Sequence, residues 1–365
     1  MADYKRLGDY IREVNVRNRD LKVTNLLGVS ISKEFMPSIA NTIGTDMSAY
    51  KIVEQKQFAY GPVTSRNGDK ISIALLANYE NAIISQAYTV FEITDHTRLL
   101  PEYLMMWFCR PEFDRYARYH SHGSARETFD WEEMCNVVLP IPSIDRQREI
   151  VAEYETLTRH IRLNEQMIQK LEATAQTLYH KMFVDGIDKE NLPEGWRMDT
   201  LGEVADLKAG GDKPDFFSER KTTKYNIPVC ANGVENKGII GYTLKPTIQK
   251  PSITISARGT IGHCLLRLQP FTPIVRLIVV TPFSDIMVQY LFYYLCALNI
   301  SGAGSVQAQL TIPDMEKFLI LNPPSQLVGL FDKSIRKLYK SITICEQEDN
   351  TLSQIKSLLL ARMGQ

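Results

Sequence analysis

Two long segments of the chain carry apolar residues at alternating spacings of four and three, the heptad pattern of a coiled coil. The first seam is Ile150, Tyr154, Leu157, Ile161, Asn164, Ile168, Leu171, Ala175, Leu178 and Met182. The second seam is Phe331, Ile335, Leu338, Ile342, Cys345, Asp349, Leu352, Lys356, Leu359 and Met363. Because a linker and a whole domain separate them along the chain, we expect the two helices to pack against each other antiparallel. Two unrelated amphipathic helices, each packing on its own domain, are the alternative.

The two seams belong to a longer internal repeat, which decides the domain organisation. Gly123-Ser124 recurs at Gly304-Ser305, an offset of 181 residues, and the match continues without a gap to the end of both seams. Further upstream the halves match more loosely, with Tyr103-Leu104 corresponding to Tyr290-Leu291. The chain is therefore two copies of one unit that have diverged in their loops.

Ahead of its long helix, each copy is rich in β-branched and aromatic runs broken by Gly, Pro and Asn, which indicates strands. These runs are ISIALL, AIISQAYTVFEI, SITISARGTIGHCLL and TPIVRLIVV, and we expect short helices in PEYLMMWFCRPEFDRYAR and MVQYLFYYLCAL. The predicted fold class is α+β: two mixed, mostly β domains in tandem repeat, separated and joined by two long heptad helices that form an antiparallel coiled coil. The predicted bounds are 1–142 for the first domain, 143–183 for the first long helix, 184–196 for a linker, 197–324 for the second domain and 325–365 for the second long helix.

Charge and cysteine content narrow the class of protein. The 42 basic and 42 acidic residues give a formal net charge of zero, which argues against coating DNA through a globally basic surface but permits a local patch. The six cysteines include no CxxC pair, so neither a disulfide framework nor a zinc knot is indicated. No apolar stretch reaches the length of a membrane span, and the first residues lack a signal core, so we expect a cytoplasmic protein with no membrane partner.

Four short motifs resemble parts of catalytic sites, and each is incomplete. Asn322-Pro323-Pro324-Ser325 resembles the NPPY-type motif of adenine-N6 methyltransferases but lacks its aromatic fourth residue. Pro214-Asp215 stands too close to Glu219-Arg220-Lys221 for a PD-ExK nuclease, and His120 and His122 have no nearby third metal ligand. Gly210-Gly211 is not followed by the GKS or GKT of a phosphate loop. We therefore expect no catalytic residue, no metal and no cofactor on this chain, which is predicted not to be an enzyme.

One known family matches these motifs over the whole chain. The blocks TLGEVADLKAGGDKP, IPVCANGV, GIIGYT, ITISARGTIG, GSVQAQLT and ILNPP, followed by a heptad helix, resemble the target-recognition domain and helix of type I restriction-modification specificity subunits. The first half departs from the pattern, with SRNGDKISIA in place of the ARGTIG block and GSARETFD in place of GSxQxQLT. A change of DNA target would produce such divergence between recognition domains.

The resemblance implies a non-catalytic subunit that reads a bipartite, asymmetric sequence in double-stranded DNA. It implies two modification subunits as partners, which carry S-adenosylmethionine and methylate adenine N6, and restriction subunits that use ATP and Mg²⁺ to translocate and cleave. It also implies that the helices act as a ruler between half-sites. Ile150 and Met182 are 32 residues apart, about 48 Å of helix or about 14 base pairs of DNA.

Base reading in the major groove needs hydrogen-bonding side chains on loops or helices, chiefly Arg, Lys, Asn and Gln. In the first domain the candidates are Ser65, Arg66, Asn67, Lys70, Ser124, Arg126 and Thr128. In the second domain they are Lys213, Asn232, Arg258, Thr260, Ser305, Gln307 and Gln309. Taken singly, each is more often a solvated loop side chain or a turn former; what favours the set is that polar loops recur at equivalent positions of the repeat.

Three other functions stay open at this point. One is a DNA-binding adaptor or specificity module that acts without classical modification subunits. Another is a detached specificity half of a self-sufficient restriction-methyltransferase, although two full repeats count against that. The third alternative is a structural two-domain protein without a nucleic-acid partner.

Overall fold

The computed structural model describes residues 4–38, 44–65, 67–123, 126–298 and 310–364. The chain divides into two compact units, Met1–Asn164 with Glu346–Gln365 and Glu165–Cys345. Each unit contains one mostly β domain and segments of both long helices. These long helices are α4 (Ile144–Phe183) and α8 (Ser325–Arg362).

The first unit is built on a four-stranded sheet of order β2-β9-β6-β7, with three further strand pairs, β5-β8, β3-β4 and β1-β10. Its strands are β1 (Tyr4–Arg6), β2 (Ile11–Val14), β3 (Leu27–Val29), β4 (Phe35–Pro37), β5 (Lys51–Glu54), β6 (Phe58–Tyr60), β7 (Ile73–Leu75), β8 (Asn81–Ile84), β9 (Thr89–Ile93) and β10 (Val138–Pro140). Its short helices are α1 (Pro101–Phe108), α2 (Pro111–Tyr119) and α3 (Trp131–Asn136). The main core lies between this sheet and α1, where Phe58 and Phe91 stack with their ring centres 4.9 Å apart.

The second unit repeats this plan with a four-stranded sheet of order β12-β18-β15-β16, a three-stranded sheet of order β14-β13-β17 and the pair β11-β19. Its strands are β11 (Arg197–Thr200), β12 (Ala205–Ala209), β13 (Ile227–Cys230), β14 (Ile239–Thr243), β15 (Ser252–Ser256), β16 (Cys264–Arg267), β17 (Thr272–Pro273), β18 (Leu277–Pro282) and β19 (Leu319–Asn322). Its short helices are α5 (Leu201–Val204), α6 (Met287–Ala297) and α7 (Ile312–Glu316). As β1 pairs with β10 in the first unit, β11 pairs with β19 in the second, each pair antiparallel.

The two long helices run antiparallel within each unit. In the first unit Asn164 of α4 donates hydrogen bonds to Asp349 (2.8 Å) and Glu348 (3.0 Å) of α8, while Tyr154 lies under the ammonium group of Lys356. In the second unit the rings of Tyr179 and Phe331 lie 6.2 Å apart. All twenty seam positions are buried or half-buried, whereas most of the residues between them are exposed.

The predicted fold class is confirmed, and several of the expected elements are shorter than their sequence patterns. The segment from residue 101 to 118 forms two helices because Pro111 has no amide hydrogen and disfavours helical geometry at the residue before it. Similarly, TPIVRLIVV forms β17 and β18 rather than one strand, since Arg276 between them has a left-handed φ of 76°. Within the described residues, no helix is both long and apolar enough to cross a membrane.

Candidate nucleic-acid interface

In the first unit, two predicted base-reading loops that are distant in sequence lie side by side. The amide of Phe129 donates to the carbonyl of Pro62 (2.8 Å), and the amide of Thr64 donates to the carbonyl of Glu127 (3.0 Å). The hydroxyl of Thr64 also donates to that of Ser121 (2.9 Å). These bonds hold the loop that carries Ser65, Asn67 and Lys70 beside the loop that carries Arg126 and Thr128.

A cavity of about 500 Å³ opens between these loops and the hairpin β3-β4. Asn67 and Arg126 line it from the two loops, Gly28 and Val29 from the hairpin, and Tyr88 from the turn before β9. Arg126 is exposed and Asn67 half-buried, with its amide donating to the carbonyl of Val63 (3.3 Å). The cavity therefore offers an arginine and an asparagine, which are the side chains suited to guanine and adenine edges.

Local backbone geometry explains how Arg126 is placed. Gly123 has a φ of 134°, and a Cβ at that position would collide with the carbonyl of Arg126. Only glycine permits this close turn. On the far side of the loop, Thr128 pairs with His122 through two backbone bonds of 2.9 and 3.0 Å, and Arg118 of α2 forms a 2.5 Å ion pair with Glu127. The loop is thus anchored on both sides of its arginine.

The second unit brings Asn232 into contact with Arg258, which lies on the same turn as Thr260. The side-chain amide of Asn232 donates to the carbonyl of Arg258, while its buried carbonyl oxygen has no protein partner. Arg258 and Thr260 are exposed on the turn between β15 and β16. Lys213 lies on the segment after β12, where its ammonium group stands 3.7 Å from the ring centre of Phe217.

The same backbone contact builds both candidate sites. Leu310, which corresponds to Phe129 under the 181-residue offset, donates its amide to the carbonyl of Ala257 (2.9 Å), next to Arg258. The following residues, Asp130 and Thr311, each cap a helix, accepting from the amides of Glu133 (2.9 Å) and Asp314 (3.4 Å). The five remaining candidates lie outside the described residues: Arg66, Ser124, Ser305, Gln307 and Gln309.

Residues of two incomplete catalytic motifs, Asn322 and Gly210, take part in hydrogen bonding and backbone packing. Asn322 donates to Asp199 (2.6 Å) across the β11-β19 pair, and Asp199 also accepts from Arg197. A Cβ on Gly210 would collide with the backbone of Ile274, so this glycine permits close approach of the segments that follow β12 and β17. Among the described residues no cluster of three or more His, Cys, Asp or Glu side chains is arranged to hold a metal ion.

Sequence reasoning missed two features. Glu133 lies 3.1 Å from Nδ1 of His120 and 3.7 Å from Nε2 of His122, which makes it a shared partner of the two histidines. Lys33 forms a buried ion pair with Asp114, 81 residues away. No spacing signal marks either contact, because both depend on how the chain folds back on itself.

Comparison with known proteins gives consistent matches. Residues 193–354 match the family model described as "Type I restriction modification DNA specificity domain". A putative type I specificity subunit of Mycoplasma pneumoniae is 32% identical over 138 residues, covering 38% of this chain and 41% of the relative. A second such subunit from that organism is 27% identical, covering 56% and 55%. The chain thus spans about half the length of these two relatives.

Other matches extend over the whole chain. The specificity subunit of the type I restriction enzyme HindI from Haemophilus influenzae is 19% identical, covering 100% of this chain and 99% of the relative. The crystal structure of the S subunit of a type I restriction-modification system from M. genitalium is similar with a TM-score of 0.64 and 14% identity, covering 100% and 96% of the two chains. At that identity the structural likeness concerns the fold.

Proposed function

We propose that this chain, which carries a type I restriction modification DNA specificity domain, reads a bipartite, asymmetric sequence in double-stranded DNA and directs adenine-N6 methylation by partner subunits. The observation that carries this proposal is that both units hold two polar loops together through an equivalent backbone hydrogen bond. In each unit one backbone hydrogen bond, from Phe129 or from Leu310, holds the segment after a predicted base-reading loop beside a second polar loop. Because the two loop sets differ in sequence, they read different half-sites.

Two copies of a modification subunit suit the repeated helix surface. In the first unit Ile355, Leu358, Leu359 and Arg362 of α8 line a groove together with Leu157 of α4. In the second unit Thr174, Thr177, Leu178 and Lys181 of α4, their equivalents under the 181-residue offset, line a corresponding depression. Because this surface occurs once in each unit, it suits a partner of which two copies bind to the chain.

Catalysis and cofactors belong to the partners in this account. S-adenosylmethionine binds the modification subunits, and ATP with Mg²⁺ binds restriction subunits that cleave when they join the complex. This chain contributes sequence reading and the spacing between half-sites. An adaptor that works without modification subunits is the second candidate function.

The experiment is methyl transfer to DNA with purified components. We expect the modification subunit with this chain to methylate DNA carrying the target, and the chain alone neither to methylate DNA nor to bind S-adenosylmethionine. Methylation by the chain alone would contradict the proposal, as would an unchanged activity of the modification subunit when the chain is omitted.

A further inference from the structure

A pocket of about 250 Å³ in the second unit has mainly aromatic walls. It lies among α6 and the segments of α4 and α8 that belong to this unit. The rings of Tyr179, Phe292, Tyr293 and Tyr339 line it, and Glu172 contributes a carboxylate. Tyr179 and Tyr293 are stacked with ring centres 5.6 Å apart, so these two walls are fixed by packing.

The pocket has the electrostatics of a cation site. The hydroxyls of Tyr293 and Tyr339 lie 3.2 Å apart, so the pair also presents oxygen lone pairs. Burial raises the pKa of both phenols, and the negative charge of Glu172 raises them further. The other lining residues are Gln176, His180, Cys296 and Ala297, with no lysine or arginine among them. Aromatic faces, phenol oxygens and one carboxylate together attract a positive charge.

The first unit shows what its own sequence places at the equivalent positions. Aligning α1 with α6 through Tyr103 and Tyr290 puts Arg110 opposite Ala297, a lining residue of the pocket. The guanidinium carbon of Arg110 lies 4.2 Å from the ring centre of Trp107, and only 9% of the side chain is exposed. A buried cation thus covers an aromatic ring at the end of α1, where the second unit has an alanine at the pocket.

A second pair of equivalent positions also has a cationic residue in the first unit and an alanine in the second. Lys356 of the first unit places its ammonium group 4.5 Å from the ring centre of Tyr154. Its equivalent under the 181-residue offset is Ala175, which is fully buried. The first unit therefore covers two of its aromatic rings with its own cations, whereas the second unit has alanine at both positions, and one of these alanines, Ala297, lines the open pocket.

We propose that the pocket walled by Tyr179, Tyr293 and Tyr339 with Glu172 binds an organic cation, the guanidinium or alkylammonium group at the end of an aliphatic stem. The side chain of an arginine or lysine on a partner protein has this chemistry, and so has a free alkylammonium compound. The aromatic faces take the stem and the charge, and Glu172 at the exposed rim pairs with the cation. The site does not depend on the proposed role in DNA methylation.

The test is ligand-observed NMR on the full chain with n-butylguanidinium chloride, against n-butylurea as a neutral compound of the same shape. We expect saturable binding of the cation that is at least about fivefold tighter than that of the urea. Glu172→Gln should weaken cation binding and leave urea binding unchanged. Tyr339→Leu should weaken both, whereas Tyr119→Leu, at an exposed tyrosine of the first unit, should change neither.

Equal affinity for the two compounds would overturn the proposal, because the pocket would then be only apolar, and so would the absence of saturable binding. The source of the cation is tested by adding the modification subunit. Displacement of n-butylguanidinium would identify a side chain of that partner, and persistence would identify a free cation. If no modification subunit binds, the proposed function fails while the probe titration still decides the pocket.

Discussion

Lys33, on the turn between β3 and β4, carries a buried charge in the first unit. Its ammonium group lies 2.5 Å from a carboxylate oxygen of Asp114 on α2 and donates to the carbonyl of Ile71 at 3.2 Å. The two charged side chains are only 8% and 12% exposed. Since Asp114 also accepts from the amide of Ile71 (3.1 Å), one ion pair links the β3-β4 hairpin, the segment before β7 and helix α2.

We expect Asp114→Ala to lower the free energy of unfolding by about 3–5 kcal/mol, because it leaves the buried ammonium group uncompensated. Adding Lys33→Met to that variant should recover most of the loss, since no unpaired charge remains. Urea unfolding of the two variants measures both effects. A double variant as unstable as the single one would mean that the contact acts through packing and not through charge.

The same lysine has a predictable pH signature. Burial lowers the pKa of Lys33 below its ordinary value of 10.5, and the bond to Asp114 offsets part of that shift. The folded chain therefore releases this proton at a lower pH than the unfolded chain, so the free energy of unfolding rises as pH climbs from the folded pKa toward 10.5. Alkaline unfolding curves should show this contribution in the native chain and lose it in Lys33→Met; identical slopes would contradict the assignment.

For base reading, Arg126→Ala should impair one half-site and Arg258→Ala the other. Losing a bidentate contact costs about 1–3 kcal/mol at one base pair. Binding of the assembled complex to DNA with single base changes measures this, with Arg115→Ala as control because Arg115 is exposed on α2 and paired with Glu112. If Arg126→Ala weakens binding to every sequence equally and reduces the salt dependence, the residue contacts phosphate.

At the residue scale, clusters of polar residues on loops let the sequence name candidates for base reading, but they do not indicate which candidates meet in the folded chain. The sequence marks Asn67 and Arg126 as separate candidates, and only folding brings them to one cavity. Lys33 and Asp114 have no spacing pattern that relates them. The sequence also does not indicate that Tyr293 and Tyr339 meet in one pocket, since these tyrosines lie on different helices.

At the scale of elements, the long helices depend on their seams. Ile335 is fully buried in the second unit, so Ile335→Ala should cost about 2–5 kcal/mol through lost burial and the cavity left behind. Lys337→Ala, two residues along on the exposed face, should change stability by less than about 0.5 kcal/mol. Thermal melting of the two variants compares them, and similar losses would show that the seam does not carry the helix packing.

The groove beside the first-unit seam gives a separate test of partner binding. Leu358 is 62% exposed in the groove, and Leu163 is 55% exposed on α4 outside its lining residues. Leu358→Glu should weaken binding of the modification subunit by about tenfold or more, as expected for loss of an apolar anchor, while Leu163→Glu should not. Sedimentation of mixtures measures the complex, and equal effects would place the interface elsewhere.

Heptad periodicity gave the long helices from sequence because it is a local, repeating signal. The polar seam residues also make sense in the structure, where Asn164 pairs with Asp349 and Glu348. Shorter elements were harder to delimit. A proline at 111 and a left-handed Arg276 interrupt patterns that look continuous in apolar content alone.

For the whole molecule, we expect a split DNA target with a fixed spacing between its half-sites. Under the proposed function, the two diverged loop sets read different half-sites, and the stiff helices α4 and α8 set the gap between those half-sites on DNA. Removing one heptad from each helix should move the permitted gap or abolish recognition, because about 10 Å of helix is lost and one site rotates off its groove. DNA substrates with gaps varied by one base pair would measure this, and tolerance of every gap would exclude the ruler.

The most direct test of sequence reading is the pattern of methylated adenines in DNA from cells that express the modification subunit with and without this chain. Single-molecule sequencing should find a new motif only when the chain is present, with two different half-sites separated by a constant unspecified gap. Replacing residues 1–142 by the corresponding domain of a related chain should change one half-site and leave the other intact. A continuous palindrome, a motif that ignores gap length, or a motif that persists without the chain would contradict the account.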